Sequence, residues 1–166
     1  MHKLAVLLTL LGVVGCATTR GLSAAAPTGE EAAQTKARIA AVLDDWHDAA
    51  AKADEQRYFG HLDDDSIFLG TDATERWDKR AFLAYSHPHF EKGKAWTFRS
   101  TRREVVLDSP VLAHFDEDLD TKGLGPARGS GVLGLRNGRW MILQYNLAIT
   151  VPNDRFDMVK EAAKSA

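Results

Sequence analysis

Residues 129–153 read GSGVLGLRNGRWMILQYNLAITVPN, and this stretch decides the fold. Two apolar runs flank Asn137-Gly138. Asn-Gly between strand-like runs is the strongest short hairpin signal, because a type I′ turn needs positive φ at both central residues. The second run, 140–151, is long for a strand. Its even positions are Trp140, Ile142, Gln144, Asn146, Ala148 and Thr150; its odd positions are Met141, Leu143, Tyr145, Leu147, Ile149 and Val151. A strand sends the two sets to opposite faces. The odd set is apolar throughout, and the even set starts apolar and then carries two neutral amides. The pattern predicts a sheet with one dry face, with Gln144 and Asn146 lining a pocket on the other and Tyr145 on the reverse.

Working outward, 120–127 (DTKGLGPA) is a Gly/Pro loop, and 111–118 (VLAHFDED) is a strand set off by a Ser109-Pro110 turn. Residues 94–108 alternate and are rich in β-formers. Before them the periods change. Ile39, Val42, Leu43, Trp46, Ala49, Ala50 and Ala53 keep three-and-four spacing, which predicts a helix over 29–53. Thr28 with Glu31 forms a capping box for it. Asp54 can cap a short second helix carrying Tyr58 and Phe59, and Asp78 a third. Pro88 disfavours helix at His87, so the third helix is expected to end near Ser86. Asp63-Asp64-Asp65 reads as a solvated turn before a strand over 66–70, and Asn153 as the cap of a C-terminal helix. Helices first and then an antiparallel meander make an α+β pattern, a curled sheet wrapped around a few helices as an open cone.

The 166 residues suggest one folded domain, and 45% hydrophobic with 27% charged residues is a globular composition. A net charge of -2 provides no basic field, so no nucleic-acid partner is expected. Residues 4–14 form an apolar segment too short to span a bilayer, ending in Val13-Val14-Gly15-Cys16. That ending resembles the lipobox of bacterial lipoproteins. The resemblance implies a signal peptide over 1–15, lipid attachment at Cys16, and a membrane anchor with the domain facing the periplasm; Ala17 favours the outer membrane. Cys16 is the only cysteine. Residues 16–29 then comprise the anchor and a flexible tether, and 30–166 the domain.

Four stretches together look like a known family: FLGTDATERW (68–77), FDEDL (115–119), RGSGVL (128–133) and W-x-I-x-QYNL…PND (140–154). They resemble the SnoaL-like branch of the nuclear transport factor 2-like superfamily, and the helix–strand order agrees. The resemblance covers about residues 37–154. It implies a conical α+β barrel with an interior pocket, often paired as a homodimer through the outer sheet face. The superfamily holds isomerases, dehydratases, cyclases, epoxide hydrolases and non-catalytic binding modules, so the fold leaves the function open.

Several groups could carry chemistry. Asp72 and Glu75, near the cone's mouth, could act as general base with Arg76 holding an anion, or could fix the loop. Of Asp116 and Glu117 only one can look inward, and Arg128 is the partner expected for it. His114 shares parity with Asp116, so a His/Asp pair is sterically allowed. Trp46, Tyr58, Trp77 and Tyr85 are aromatic residues that could line a pocket or be plain core. Where dehydratase-type relatives carry paired pocket histidines, this chain has Gln144 and Asn146, which cannot serve as bases. His87-Pro88-His89 lacks the supporting ligands of a metal site. The Gly-rich 123–131 leads into a strand and has no Lys-Ser/Thr ending, which excludes a phosphate loop. No cofactor is implied. Two functions stay open: a module binding a small, partly apolar molecule or protein partners, and a cofactor-free lyase, isomerase or hydrolase.

Overall fold

The structure, a computed structural model, describes residues 29–164. The signal segment, Cys16, the tether and the Thr28 cap lie outside the described residues. The Asn-Gly turn forms as its chemistry demands: Asn137 (φ 51°) and Gly138 (φ 78°) both take positive φ. It joins β5 (Ala127–Arg136) to β6 (Arg139–Ile149), with Arg136 opposite Arg139.

Helix α1 (Gly29–Ala51) buries Ile39, Leu43, Trp46, Ala49 and Ala50 on the expected stripe. Asp54 caps α2 (Glu55–Gly60) by accepting from the Arg57 N–H at 3.1 Å. Asp78 caps α3 (Lys79–Glu91) by accepting from Ala81 N–H at 2.7 Å. Between them run β1 (Leu62–Leu69) and the short β2 (Arg76–Asp78), and after them β3 (Phe98–Ser109) and β4 (Leu112–Thr121). The six strands form one sheet in the order β2-β1-β6-β5-β4-β3. Its pairings are antiparallel except β1 with β6, which run parallel, so the sheet is mixed and open. Curled over α1 to α3, it gives the cone-like α+β fold.

Three local expectations fail for physical reasons. The Asp63–Asp65 run lies inside β1, where Lys79 pairs with Asp64 at 2.9 Å and Arg136 with Asp63 at 3.4 Å. Helix α3 runs through Pro88 to Glu91, because Phe90 in its last turn is buried and His87 Nδ1 lies 2.7 Å from Glu55 Oε2 on α2. Asn153 starts a single 3-10 turn (Asn153–Arg155) before α4 (Phe156–Ala163), and its side chain caps nothing. Among the described residues no helix is long and apolar enough to cross a membrane.

The most consequential difference is in β6. Val132 pairs with Gln144 but Leu133 pairs with Ile142, so Leu143 is an extra residue. The β1 register shifts at the same place, from Leu62 opposite Ile142 to Ile67 opposite Gln144. Such a bulge reverses the alternation. Trp140 and Ile142 are buried before it, Tyr145 and Leu147 after it. The core face therefore runs even, then odd. Gln144 and Asn146 turn to the outer face, each half-buried there.

Candidate functional site

A cavity of about 530 Å³ opens between α3 and the sheet. Phe68 of β1 and Leu147 of β6 form its floor. Phe82, Tyr85 and His89 enter from α3, at spacings of three and four that place them on one side of the helix. Trp77 comes from β2, Trp96 and Phe98 from the approach to β3, and Lys122 and Leu124 from the β4–β5 turn. The rings support one another in series. Tyr85 stacks on Trp77 (4.5 Å between centroids), Trp77 on Phe82 (5.6 Å), and Phe82 on Phe68 (4.0 Å). A wall of mutually packed rings holds its shape without a ligand and offers one an apolar, aromatic surface.

The β1–β2 turn contributes Gly70, Thr71 and Glu75. Glu75 is held at both ends of its peptide: its N–H donates to Asp72 O at 3.0 Å, and its carbonyl accepts from the Gly70 N–H at 2.9 Å. Its carboxylate Oε2 accepts from the Asp72 N–H at 3.1 Å. A methyl group on Gly70 would stand 2.1 Å from that oxygen, so a larger residue there would displace the Glu75 side chain from this position. Asp72 is exposed and takes the Thr74 hydroxyl (2.6 Å) and Thr74 N–H (2.8 Å); these bonds, the hydroxyl first, hold its carboxyl below the usual range. It shapes the turn and does not line the cavity. Arg76, opposite Leu69, faces away from Trp77, which is opposite Phe68.

Behind the aromatic wall lies a buried polar cluster. Glu117 of β4 is fully buried. Its Oε1 lies 2.7 Å from His47 Nε2 and accepts from the Tyr145 hydroxyl at 3.2 Å. Its Oε2 accepts from Arg103 Nε at 2.9 Å; Nη2 of the same guanidinium is 2.8 Å away but poorly aimed for a hydrogen bond. Arg103 Nη1 donates to the Ala40 carbonyl (3.1 Å) and to Asp44 (2.8 Å), tying β3 to α1. Burial pushes the Glu117 pKa up, but the His47 hydrogen bond, then the charges of His47 and Arg103, outweigh it and hold the group below its ordinary value. Burial, then the Glu117 charge, pushes the Tyr145 phenol well up, so it stays a donor. Phe98 separates His47 from the cavity (6.2 Å between rings) and Phe68 separates Tyr145 from it (5.6 Å). Glu117 is thus ionised, engaged at both oxygens and screened from the cavity: a structural anion, poorly suited to take a proton from a ligand.

The sequence-based candidates scatter. Glu75, Trp77 and Tyr85 line the cavity. Trp46 and Tyr58 are buried core residues, stacked at 4.9 Å, and do not line it. Gln144 and Asn146 face outward because of the bulge. His114 and Asp116 do share a face, but it is the outer one: His114 pairs with Asp108 at 2.9 Å and Asp116 with Arg102. The inward acid is Glu117, and its partner is Arg103. Arg128 sits on the outer face, across from Asp118 and 3.6 Å from its carboxylate. Counting back from the Ser109–Leu112 turn pairs Glu117 with Glu104; the register shift between Leu107 and Ser109 brings Arg103 opposite instead. His47 had a visible signal, since it stands four residues after Leu43 and three before Ala50 on the buried stripe. Among the described residues no three His, Cys, Asp or Glu side chains are arranged to hold a metal ion.

Comparison with known proteins places this geometry. Several solved structures share the fold. An NTF2-like protein of unknown function from Pseudomonas putida superposes with a TM-score of 0.61 at 13% identity, covering 74% of this chain and 91% of its own. A Novosphingobium aromaticivorans protein provisionally named an aromatic ring hydroxylase gives 0.64 at 12% identity, over 72% and 92% of the two chains. Another from that organism, provisionally named a scytalone dehydratase, gives 0.62 at 8% identity, over 72% and 86%. At these identities the likeness is one of fold. No curated protein matches the chain in sequence. The SnoaL-like domain matches residues 39–152, from the α1 stripe to the end of the sheet, and the chain belongs to the SnoaL-like domain family, whose cone-shaped fold serves ligand-binding proteins and some enzymes.

Proposed function

We propose that this protein is a lipid-anchored envelope protein whose SnoaL-like cone binds a small, partly apolar molecule. The observation that carries the binding reading is the aromatic cavity of about 530 Å³, a size suited to small ligands. In the cluster around Glu117, where acid–base chemistry would otherwise be sought, the carboxylate is engaged at both oxygens and walled off. Native mass spectrometry of the purified full-length chain tests the reading. A copurifying small molecule, lost on Trp96→Ala together with Tyr85→Ala, supports it. A ligand-free spectrum that no added aromatic probe changes overturns it.

One observation favours catalysis as the alternative: Glu75 is an acid that reaches the cavity. A cofactor-free lyase, isomerase or hydrolase would use it as the proton acceptor. That reading predicts turnover abolished by Glu75→Gln with ligand affinity retained. The anchor reading rests on the Val13-Val14-Gly15-Cys16 ending. It predicts that Cys16→Ser abolishes incorporation of labelled palmitate and releases the protein from the membrane fraction.

A further inference from the structure

The cavity's walls and its charge do not match in an ordinary way. Glu75 is half-buried at the edge of an aromatic wall, and among the described residues no Lys, Arg or His lies within ion-pair distance of it. A carboxylate facing an apolar space with no cation beside it favours a ligand that brings one. Asp72 N–H satisfies only one of its oxygens. The backbone bonds to Gly70 and Asp72 fix the group where it is, so its orientation is set before any ligand arrives.

The apolar lining adds a shape requirement. Trp77, Phe82, Tyr85 and Trp96 all contribute to it. A carboxylate beside four rings therefore selects positive charge on an apolar body. Lys122 and His89 also reach the lining, and both are exposed. Lys122 stands in the β4–β5 turn, which comes from the other half of the sheet, and it has no acidic partner among the described residues. Its flexible stem can carry its charge into solvent.

We infer that the ligand of this cavity is an organic ammonium, a protonated or quaternary amine on an apolar or aromatic body, with its positive charge beside Glu75 and its body against the rings of Trp77, Tyr85 and Trp96. The inference rests on the proposed binding role and specifies its chemistry.

Three probes of nearly one shape test it by calorimetry on the full-length chain: phenyltrimethylammonium, its uncharged isostere tert-butylbenzene, and benzenesulfonate. The cation should bind about tenfold tighter than the neutral probe, and benzenesulfonate most weakly. Glu75→Gln should bring the cation to the level of the neutral probe, with the far-ultraviolet circular dichroism of the variant showing that it is folded. Lys122→Met should strengthen cation binding. Equal or tighter binding of the neutral or anionic probe, or a cation affinity indifferent to Glu75→Gln, overturns the charge preference alone. Failure of all three probes overturns the binding role as well.

Discussion

A methyl group on Gly131 would stand 2.1 Å from the backbone carbonyl oxygen of Gln144, on the neighbouring strand of the hairpin. That oxygen belongs to a paired backbone and cannot swing aside. Gly131→Ala should cost on the order of 2–3 kcal/mol in denaturant unfolding, as overpacking does. At Gly129 the obstruction would be the Tyr145 hydroxyl at 2.2 Å and Glu117 Oε1 at 2.9 Å, so that glycine makes room for the buried polar cluster. Within the cluster, Glu117→Gln removes the anion facing both His47 and Arg103. Leaving the buried Arg103 guanidinium with only the exposed Asp44 as counter-charge should destabilise by roughly 3 kcal/mol. The same residue sets an acid limit. A carboxyl group whose folded pKa is depressed contributes stability above its unfolded pKa, about 4.3, and loses it as pH falls through the folded value. The wild-type melting temperature should therefore drop below about pH 4 more steeply than that of Glu117→Gln, followed by circular dichroism.

Helix α3 carries one wall of the cavity and also a proline in its interior. Pro88 has no N–H to give the preceding turn, and the helix persists because Phe82 and Phe90 anchor it in the core. Pro88→Ala should restore that hydrogen bond and raise stability by about 1–2 kcal/mol, provided the cavity lining is unchanged. The clip between His87 and Glu55 works in the same region. The Glu55 carboxylate raises the His87 pKa, so the clip's contribution is present below the unfolded value of about 6.5 and fades as pH rises through the folded one. An NMR titration of His87 should show an upward displacement that Glu55→Gln removes. These elements show what the sequence could and could not disclose. The hairpin, both Asp caps and the α1 stripe were legible because each rests on neighbouring residues. The extension of α3 past Pro88 was hidden because distant packing overrode a local rule. The two bulges hid more, since each changes which residues face inward without marking the sequence. One moved Gln144 and Asn146 out of the pocket, and the other gave Glu117 its true partner, Arg103.

For the molecule as a whole, the outer face of the sheet presents a row across five strands: Ile67, Gln144, Val132, His114 and Val106. The odd positions of β6 turn inward at Tyr145 and Leu147, so this mixed row is the outer surface offered to a second copy. We propose a homodimer through it. Sedimentation should show a dimer at micromolar concentration that Val132→Glu converts to monomer; a monomeric wild type removes the proposal. The strand order has a consequence for how the chain acquires its shape. β6 is the last strand made, yet it alone links β1 and β2 to β5, β4 and β3. Until β6 is available, Phe68 has no Tyr145 beside it and the chain is left with two unconnected sheet fragments. Contacts of this long sequence separation slow folding. A ribosome stalled before residue 149 would hold a chain with its apolar interior open, and maturation waits on the synthesis of one strand.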